Sequence, residues 1–250
     1  APALGMQAVA DTVYVSAPTE LYSLTAGDNI GLDRTWSVKP FRMSAPWLAA
    51  EGFSRGRGSL LKYVTRSRLL DVFTTRGEIS AIRLDPDTTR AWVAAGGAVH
   101  VFDTATGEML STVNLRWPIS DVFLPAGGPN AYLVSTDQVS AVDRANLLRY
   151  DDLPAGGELV YARGDFLFLM HPDYERRLVV ADGARGDVWE REDLPVVPTD
   201  AAGTSERLFL LGGTQGAIAI YVNRLDTARM PRGGPHAWDD RADERANFHR

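Results

Sequence analysis

Short apolar stretches recur every 39 or 40 residues along this chain of 250 residues, and this repeat restricts the possible folds more than any other feature. The clearest copies are VHVFD, VSAVD and LVVAD, in the middle of the chain. The six stretches have equivalent anchor residues, which are Leu24, Val64, Asp103, Asp143, Asp182 and Val222. A period of this length is typical of one small structural unit that is stacked many times.

Each unit carries four runs with the pattern of a β-strand. In the anchor run, Val99 and Val101 alternate with His100 and Phe102, so the two sets lie on opposite faces of an extended strand. Two more runs precede this anchor, ISAIRL from residue 79 and AWVAA from residue 91, and EMLSTVNL follows from residue 108. Glycine-rich turns separate the runs. Four strands in about 40 residues predict an all-β fold, a β-propeller of four-stranded blades.

The repeat also predicts the domain organisation. Six units fill residues 1–231, which we expect to form one β-propeller domain. The remaining segment, 232–250, has turn residues followed by dense alternating charge, a pattern that suits a polar C-terminal arm better than a strand. The alternative is a seven-bladed propeller with an incomplete last blade.

Composition excludes several kinds of protein. The chain has no cysteine, which excludes disulfides, thiolate metal sites and a cysteine nucleophile. No apolar run approaches the roughly 18 residues that cross a bilayer, so we expect no membrane span. A net charge of −6 argues against nonspecific nucleic-acid binding. The opening Ala-Pro-Ala-Leu-Gly suits the mature end left by a signal peptidase, so a periplasmic or extracellular location is expected.

Positive charge is concentrated in residues 34–76. This segment contains nine basic residues and only two acidic ones, Glu51 and Asp71. One interpretation is a solvated blade surface, which is what most charge runs are. The other is a docking patch for a protein partner with an acidic surface, because complementary charges steer association. Within this segment, the candidates for partner binding are Arg55, Arg57, Arg66 and Arg68.

The turn that follows the anchor resembles that of bacterial propellers built from quinoprotein-like and surface-layer-type (YVTN-type) repeats. The matching segments are VHVFDTATGEML, with Asp103 and Gly107, and LVVADGARGDVW, with Asp182, Gly186 and Trp189. We expect the aspartate to accept backbone N–H bonds and the glycine to adopt a positive φ. The resemblance implies that Trp189 and Trp36 pack between blades. Ser111 stands where the fuller repeat has a tryptophan.

The best candidate binding surface is the end of the propeller that carries the hairpins between second and third strands. His171 opens such a hairpin, and the connections between blades share that end, so His171 and its neighbours are predicted to face basic residues across it. Beyond the four arginines above, the candidate partner-binding residues are Arg116, Trp117, His171, Asp173, Tyr174 and Trp238. His100 lies within a strand and is expected to be a core or interblade residue.

No residue pattern predicts a catalytic group, a cofactor or a metal ligand set, so none is assigned. We therefore predict a noncatalytic interaction or scaffold subunit of a larger extracytoplasmic protein assembly. The alternative is an enzyme with its site at the axial mouth near His171, either a quinoprotein-like oxidoreductase subunit or a hydrolase or lyase. A vicinal disulfide, which the resemblance implies for many quinone-cofactor dehydrogenases, is impossible without cysteine.

Overall fold

In the part of the chain that the structure, a computed structural model, describes, the regular secondary structure consists of β-strands joined by turns and loops. The described residues are 5–9, 11–25, 31–37, 40–44, 46–51, 59–64, 68–75, 77–171, 176–191, 194–198, 200–203, 207–212 and 216–221. The strands of the first three sheets are β1 (Gly5–Val9), β2 (Thr12–Ser16), β3 (Glu20–Thr25), β4 (Gly31–Ser37), β5 (Pro40–Ser44), β6 (Trp47–Glu51), β7 (Ser59–Val64), β8 (Leu69–Thr75), β9 (Ile79–Leu84), β10 (Arg90–Ala95), β11 (Ala98–Asp103) and β12 (Met109–Asn114). The strands of the other three are β13 (Ile119–Phe123), β14 (Asn130–Ser135), β15 (Val139–Asp143), β16 (Arg149–Leu153), β17 (Glu158–Arg163), β18 (Phe166–Met170), β19 (Leu178–Asp182), β20 (Asp187–Arg191), β21 (Asp200–Gly203), β22 (Arg207–Leu211) and β23 (Ala217–Tyr221).

These strands form six antiparallel sheets in which the strands lie in chain order. Five sheets have four strands, and the sixth has three within the described residues. The anchors Asp103, Asp143 and Asp182 end the third strands β11, β15 and β19, as the repeat predicts. The predicted all-β fold with propeller blades is therefore confirmed.

The central strands are buried on both faces. Strand β14 is buried at all six positions, and β10 is buried at five of six, whereas the outer strand β12 is buried at one of six. A strand covered by a neighbouring sheet on each side has no solvent face, so its burial does not alternate. The apolar faces of the sheets therefore become the core only when sheets stack against each other.

The chain divides into two compact units, Ala1–Leu124 and Pro125–Arg250. In the first unit, β5 lies beside β9 and β9 beside β13, so the first strands of successive sheets are neighbours. One core cluster joins Trp47 of the second sheet to Val93 and Phe102 of the third. Another joins Leu21 of the first sheet to the second sheet, and Trp36 packs against it.

The second unit is built in the same way. Its β17 lies beside β21. A cluster joins Phe168 and Val180 of the fifth sheet to Leu208 and Leu210 of the sixth, and Trp189 packs against it. Together with Trp36 in the first unit, this confirms that these tryptophans pack between blades.

The aspartate turn after each anchor has the predicted geometry. Oδ1 of Asp103 accepts the backbone N–H groups of Ala105 and Thr106, each at 2.8 Å. The N–H of Gly107 donates to the carbonyl of Asp103 at 2.9 Å, and Gly107 has a φ of 76°. The hydrogen bond from Thr106, followed by that from Ala105, holds the pKa of the Asp103 carboxyl below its ordinary value.

The same turn follows Asp143 and Asp182. In the turn after Asp182, Gly186 takes the left-handed position with a φ of 77°. In the turn after Asp143 that position is held by Leu147, with a φ of 62°. Leu147 is the one non-glycine residue with a positive φ in the described part of the chain, so this turn carries backbone strain.

Substitutions at the positive-φ position of two aspartate turns should change the free energy of unfolding in opposite directions. We expect Leu147→Gly to raise the free energy of unfolding by up to about 1 kcal/mol, because glycine adopts a positive φ without steric cost. We expect Gly107→Ala to lower it by about 1–2 kcal/mol, since open space surrounds that position and only the φ opposes a Cβ. Urea unfolding followed by circular dichroism measures both changes. A loss of stability in Leu147→Gly would contradict the strain at this turn.

Several predictions fall outside the described residues. They are the anchor Val222, the arm 232–250 and a seventh blade. The division between a domain over 1–231 and an arm over 232–250 stays a prediction.

Candidate functional site

The predicted binding end is built where each hairpin between a second and a third strand meets the connection to the next sheet. In the third sheet this hairpin is Gly96-Gly97, between β10 and β11. The N–H of Leu115 donates to the carbonyl of Gly97 at 2.7 Å, and the N–H of Ile119 donates to the carbonyl of Gly96 at 2.8 Å. The connection from β12 to β13 is thus held at both ends against the hairpin.

The second unit repeats this arrangement. The N–H of Gly157, in the connection from β16 to β17, donates to the carbonyl of Ser135 at 2.9 Å. The N–H of Leu194, which precedes β21, donates to the carbonyl of Arg176 at 3.0 Å. Hairpins and connections therefore share one end of the sheets in each unit, which we call the hairpin end.

Arg116 and Trp117 lie at the hairpin end of the first unit, on the connection that the two hydrogen bonds immobilise. Arg116 is exposed and Trp117 is half-buried. A Cβ at Gly97 would lie 3.1 Å from the carbonyl oxygen of Leu115 and 3.4 Å from that of Trp117. A side chain at position 97 would therefore require the connection to move by a few tenths of an ångström.

The preceding connection also reaches this hairpin. The Cβ position of Gly77 lies 3.7 Å from the backbone nitrogen of Gly96, and the next residue, Glu78, is exposed. Nothing lies within 4 Å of the Cβ position of Gly96. At the hairpin end of the third sheet, the backbone of Gly96-Gly97 thus lies between two connections. One connection carries Glu78, and the other carries Arg116 and Trp117. We call this arrangement the glycine platform.

The other predicted site residues are placed as follows. His171 is half-buried directly after β18, and its N–H donates to the carbonyl of Arg177 at 3.1 Å. Arg68 is exposed immediately before β8. His171 belongs to the second unit, whereas Arg68, Arg116 and Trp117 belong to the first. The residues that lie outside the described part are Arg55, Arg57, Arg66, Asp173, Tyr174 and Trp238.

His100 lies between the second and third sheets. Its ring centroid is 4.6 Å from that of Phe73, and its Nδ1 is 3.0 Å from the hydroxyl of Thr112. Burial lowers the pKa of the imidazole, because the charged form loses hydration there. These contacts are those of the interblade residue that the sequence predicts.

The position of His100 predicts a pH dependence of stability. Its pKa is lower in the folded chain than in the unfolded chain, so the unfolded state binds the proton more readily. The free energy of unfolding should fall as the pH drops from about 7 through the folded-state pKa, and this loss should be smaller in His100→Gln. Urea unfolding of both proteins between pH 5 and 8 measures it. Equal slopes for both proteins would contradict the burial of a neutral imidazole.

Arg144 is a buried charged residue that sequence reasoning did not single out. Its Nη1 donates to the carbonyls of Pro125 at 2.8 Å and Gly128 at 2.6 Å. Its backbone N–H donates to the carbonyl of Pro129 at 2.9 Å. The side chain therefore links the aspartate turn to the hairpin between β13 and β14. The sequence feature that could have identified Arg144 is its position directly after the anchor Asp143.

Within the described residues, no group of three or more His, Asp or Glu side chains is placed to hold a metal ion. No helix long and apolar enough to cross a membrane occurs in the same part of the chain.

Comparison with known proteins identifies no family. No protein-family model matches the chain, and no curated protein matches it. Among solved structures, the chain is similar to Hsv2 of Kluyvelomyces marxianus, a β-propeller protein, with a TM-score of 0.48 and 13% sequence identity. This similarity covers 71% of the chain and 56% of Hsv2, so the chain spans little more than half the length of that protein.

Proposed function

We propose that this chain is a noncatalytic β-propeller subunit that binds a partner protein at its hairpin end, within a larger assembly outside the cytoplasm. The observation that carries the proposal is the glycine platform, where exposed Arg116 and half-buried Trp117 lie on a connection held by two backbone hydrogen bonds.

Residue type and rigidity support this function. Arginine and tryptophan are the residues that most often dominate the free energy of protein association. A loop already held in place loses little conformational entropy on binding, so more of the contact energy contributes to affinity. Arg116 and Trp117 therefore have both the chemistry and the fixed backbone of an interface centre.

The chemistry of the partner follows from the charge. Arg116 is exposed, and the basic segment 34–76 belongs to the same unit. A partner with an acidic surface complements these charges. Kinship with the quinoprotein-like propellers, supported by the aspartate turns, is consistent with an extracytoplasmic location, which remains part of the proposal.

Site-specific photocrosslinking tests the proposal. A photoreactive amino acid is placed at position 116 or 117, or at Thr106 as a control, which is exposed in the aspartate turn of the same sheet. After irradiation in an extract of the native source, we expect one adduct from positions 116 and 117 and none from position 106. Arg116→Ala and Trp117→Ala should each weaken partner retention roughly 30-fold, the effect of a residue at an interface centre.

Two outcomes would contradict the proposal. One is equal labelling from all three positions, which indicates random encounter. The other is a metal or chromophore that copurifies with the native chain and leaves on denaturation, which would support an enzyme instead.

A further inference from the structure

A register shift brings a histidine, a threonine and a methionine together in the third sheet. His100 of β11 lies directly opposite Thr112 of β12, and Phe102 lies opposite Met109. His100 and Phe102 share a face because they are two residues apart in one strand. Met109 and Thr112 are three residues apart and would lie on opposite faces of a regular strand. The register shift in this strand pair instead places both on the face of His100.

The three side chains form a connected set. Nδ1 of His100 is 3.0 Å from the hydroxyl oxygen of Thr112, and that oxygen is 3.7 Å from Sδ of Met109. Met109 is 52% exposed, whereas the half-buried His100 ring packs 4.6 Å from the ring of Phe73 in the second sheet. Thr112 therefore links a solvent-accessible thioether to a ring that packs between two sheets.

The hydroxyl of Thr112 has one proton to donate. It can donate to Nδ1 of His100 or to Sδ of Met109, and the thioether is the weaker acceptor. Burial lowers the pKa of His100, so at about pH 8 the ring is neutral and carries a single N–H. We therefore expect the hydroxyl to donate to Nδ1, which leaves the ring proton on Nε2.

We propose that Met109 is a site of oxidation to methionine sulfoxide by hydrogen peroxide, and that the sulfoxide oxygen accepts the hydroxyl hydrogen bond of Thr112 in place of His100. A lone pair of Sδ attacks one peroxide oxygen, the O–O bond breaks, and the second oxygen leaves as water with both protons. Sulfur loses two electrons and the peroxide gains them.

Oxidation changes the position of the ring proton because a polar sulfoxide oxygen replaces a weak thioether acceptor. The new oxygen is one bond from Sδ and lies within reach of the Thr112 hydroxyl. Once this hydroxyl donates to the sulfoxide, its oxygen accepts from Nδ1, so the ring proton moves from Nε2 to Nδ1. A change at an exposed side chain thereby reaches the interface between two sheets. It involves neither Arg116 nor Trp117, so it is independent of the proposed partner binding.

Peroxide treatment of the full chain tests the proposal. Peptide mass spectrometry should show one added oxygen at Met109. Heteronuclear NMR of the histidine ring nitrogens, at the same pH, should show the His100 proton on Nε2 before treatment and on Nδ1 afterwards. The signals that His100→Gln lacks identify this ring. The two methionine sulfoxide reductases, one for each sulfoxide epimer, should reverse both changes.

Two variants separate this link from general oxidation. Met109→Leu removes the sulfur and Thr112→Val removes the hydroxyl, so peroxide should not move the His100 proton in either variant. Met6 of the first sheet is 70% exposed, so its oxidation is the internal control for the reaction. Oxidation of Met6 without Met109 would overturn the proposal, as would an oxidised Met109 with no movement of the ring proton. The same movement in Thr112→Val would also contradict it.

Discussion

Replacing Trp47 with alanine is expected to lower the free energy of unfolding by about 3–5 kcal/mol. Trp47 is fully buried, and its ring centroid lies 5.1 Å from that of Tyr63 and 5.6 Å from that of Phe102. Because Phe102 belongs to the third sheet and Trp47 to the second, the resulting cavity would lie in the interface between two blades. Urea unfolding followed by circular dichroism measures the loss.

A phenylalanine at this position provides the matched control. The indole N–H of Trp47 is buried and has no hydrogen-bond acceptor within the described residues, so its removal also removes a desolvation penalty. Trp47→Phe keeps most of the apolar contact and should cost less than about half of the alanine variant. A loss below about 1 kcal/mol for Trp47→Ala would contradict the role of this ring in joining the two sheets.

Replacing Gly156 with alanine is expected to lower the free energy of unfolding by about 3 kcal/mol or more. Gly156 is buried in the connection from β16 to β17, and a Cβ there would overlap the carbonyl oxygen of Thr136 and the backbone of Asp137. Backbone atoms cannot rotate away as a flexible side chain can. The hairpin between β14 and β15 must therefore move, which also disturbs the hydrogen bond from Gly157 to Ser135.

Gly77 is the control for this substitution because it also lies in a connection between sheets. Its Cβ position is 3.7 Å from the nitrogen of Gly96, an ordinary van der Waals distance. Gly77→Ala should change stability by less than about 1 kcal/mol, with any gain coming from the reduced entropy of the unfolded chain. Similar losses in both variants would show that helical or turn propensity, and not the close approach at Gly156, determines the effect.

The repeat predicted the strands because strand formation depends on local pattern. The alternation of VHVFD identified β11, and the same spacing identified β15 and β19. The turns after Asp103 and Asp182 were also predictable, since an aspartate side chain hydrogen-bonds the backbone two residues on and glycine supplies a positive φ without steric cost. Leu147 is the exception, because it takes a φ of 62°, which a leucine disfavours.

The candidate site was predictable only in part. Arg116, Trp117 and His171 were assigned to the hairpin end from strand order, and the backbone hydrogen bonds place the hairpins and connections there in each unit. The glycine platform was not predicted. The sequence identifies Gly96-Gly97 only as a turn and does not show which connections lie beside it. The buried guanidinium of Arg144 was missed for a similar reason, since its acceptors are carbonyl oxygens and sequence patterns carry no information about those.

By itself, the sequence determined that this chain forms repeated antiparallel sheets with anchored turns, because side-chain periodicity and turn chemistry act over a few residues. Only the tertiary structure decided which strand edges are bulged, which backbones approach each other and which charges are buried. Those features depend on how separate sheets pack, and packing is set by contacts between residues far apart in the chain.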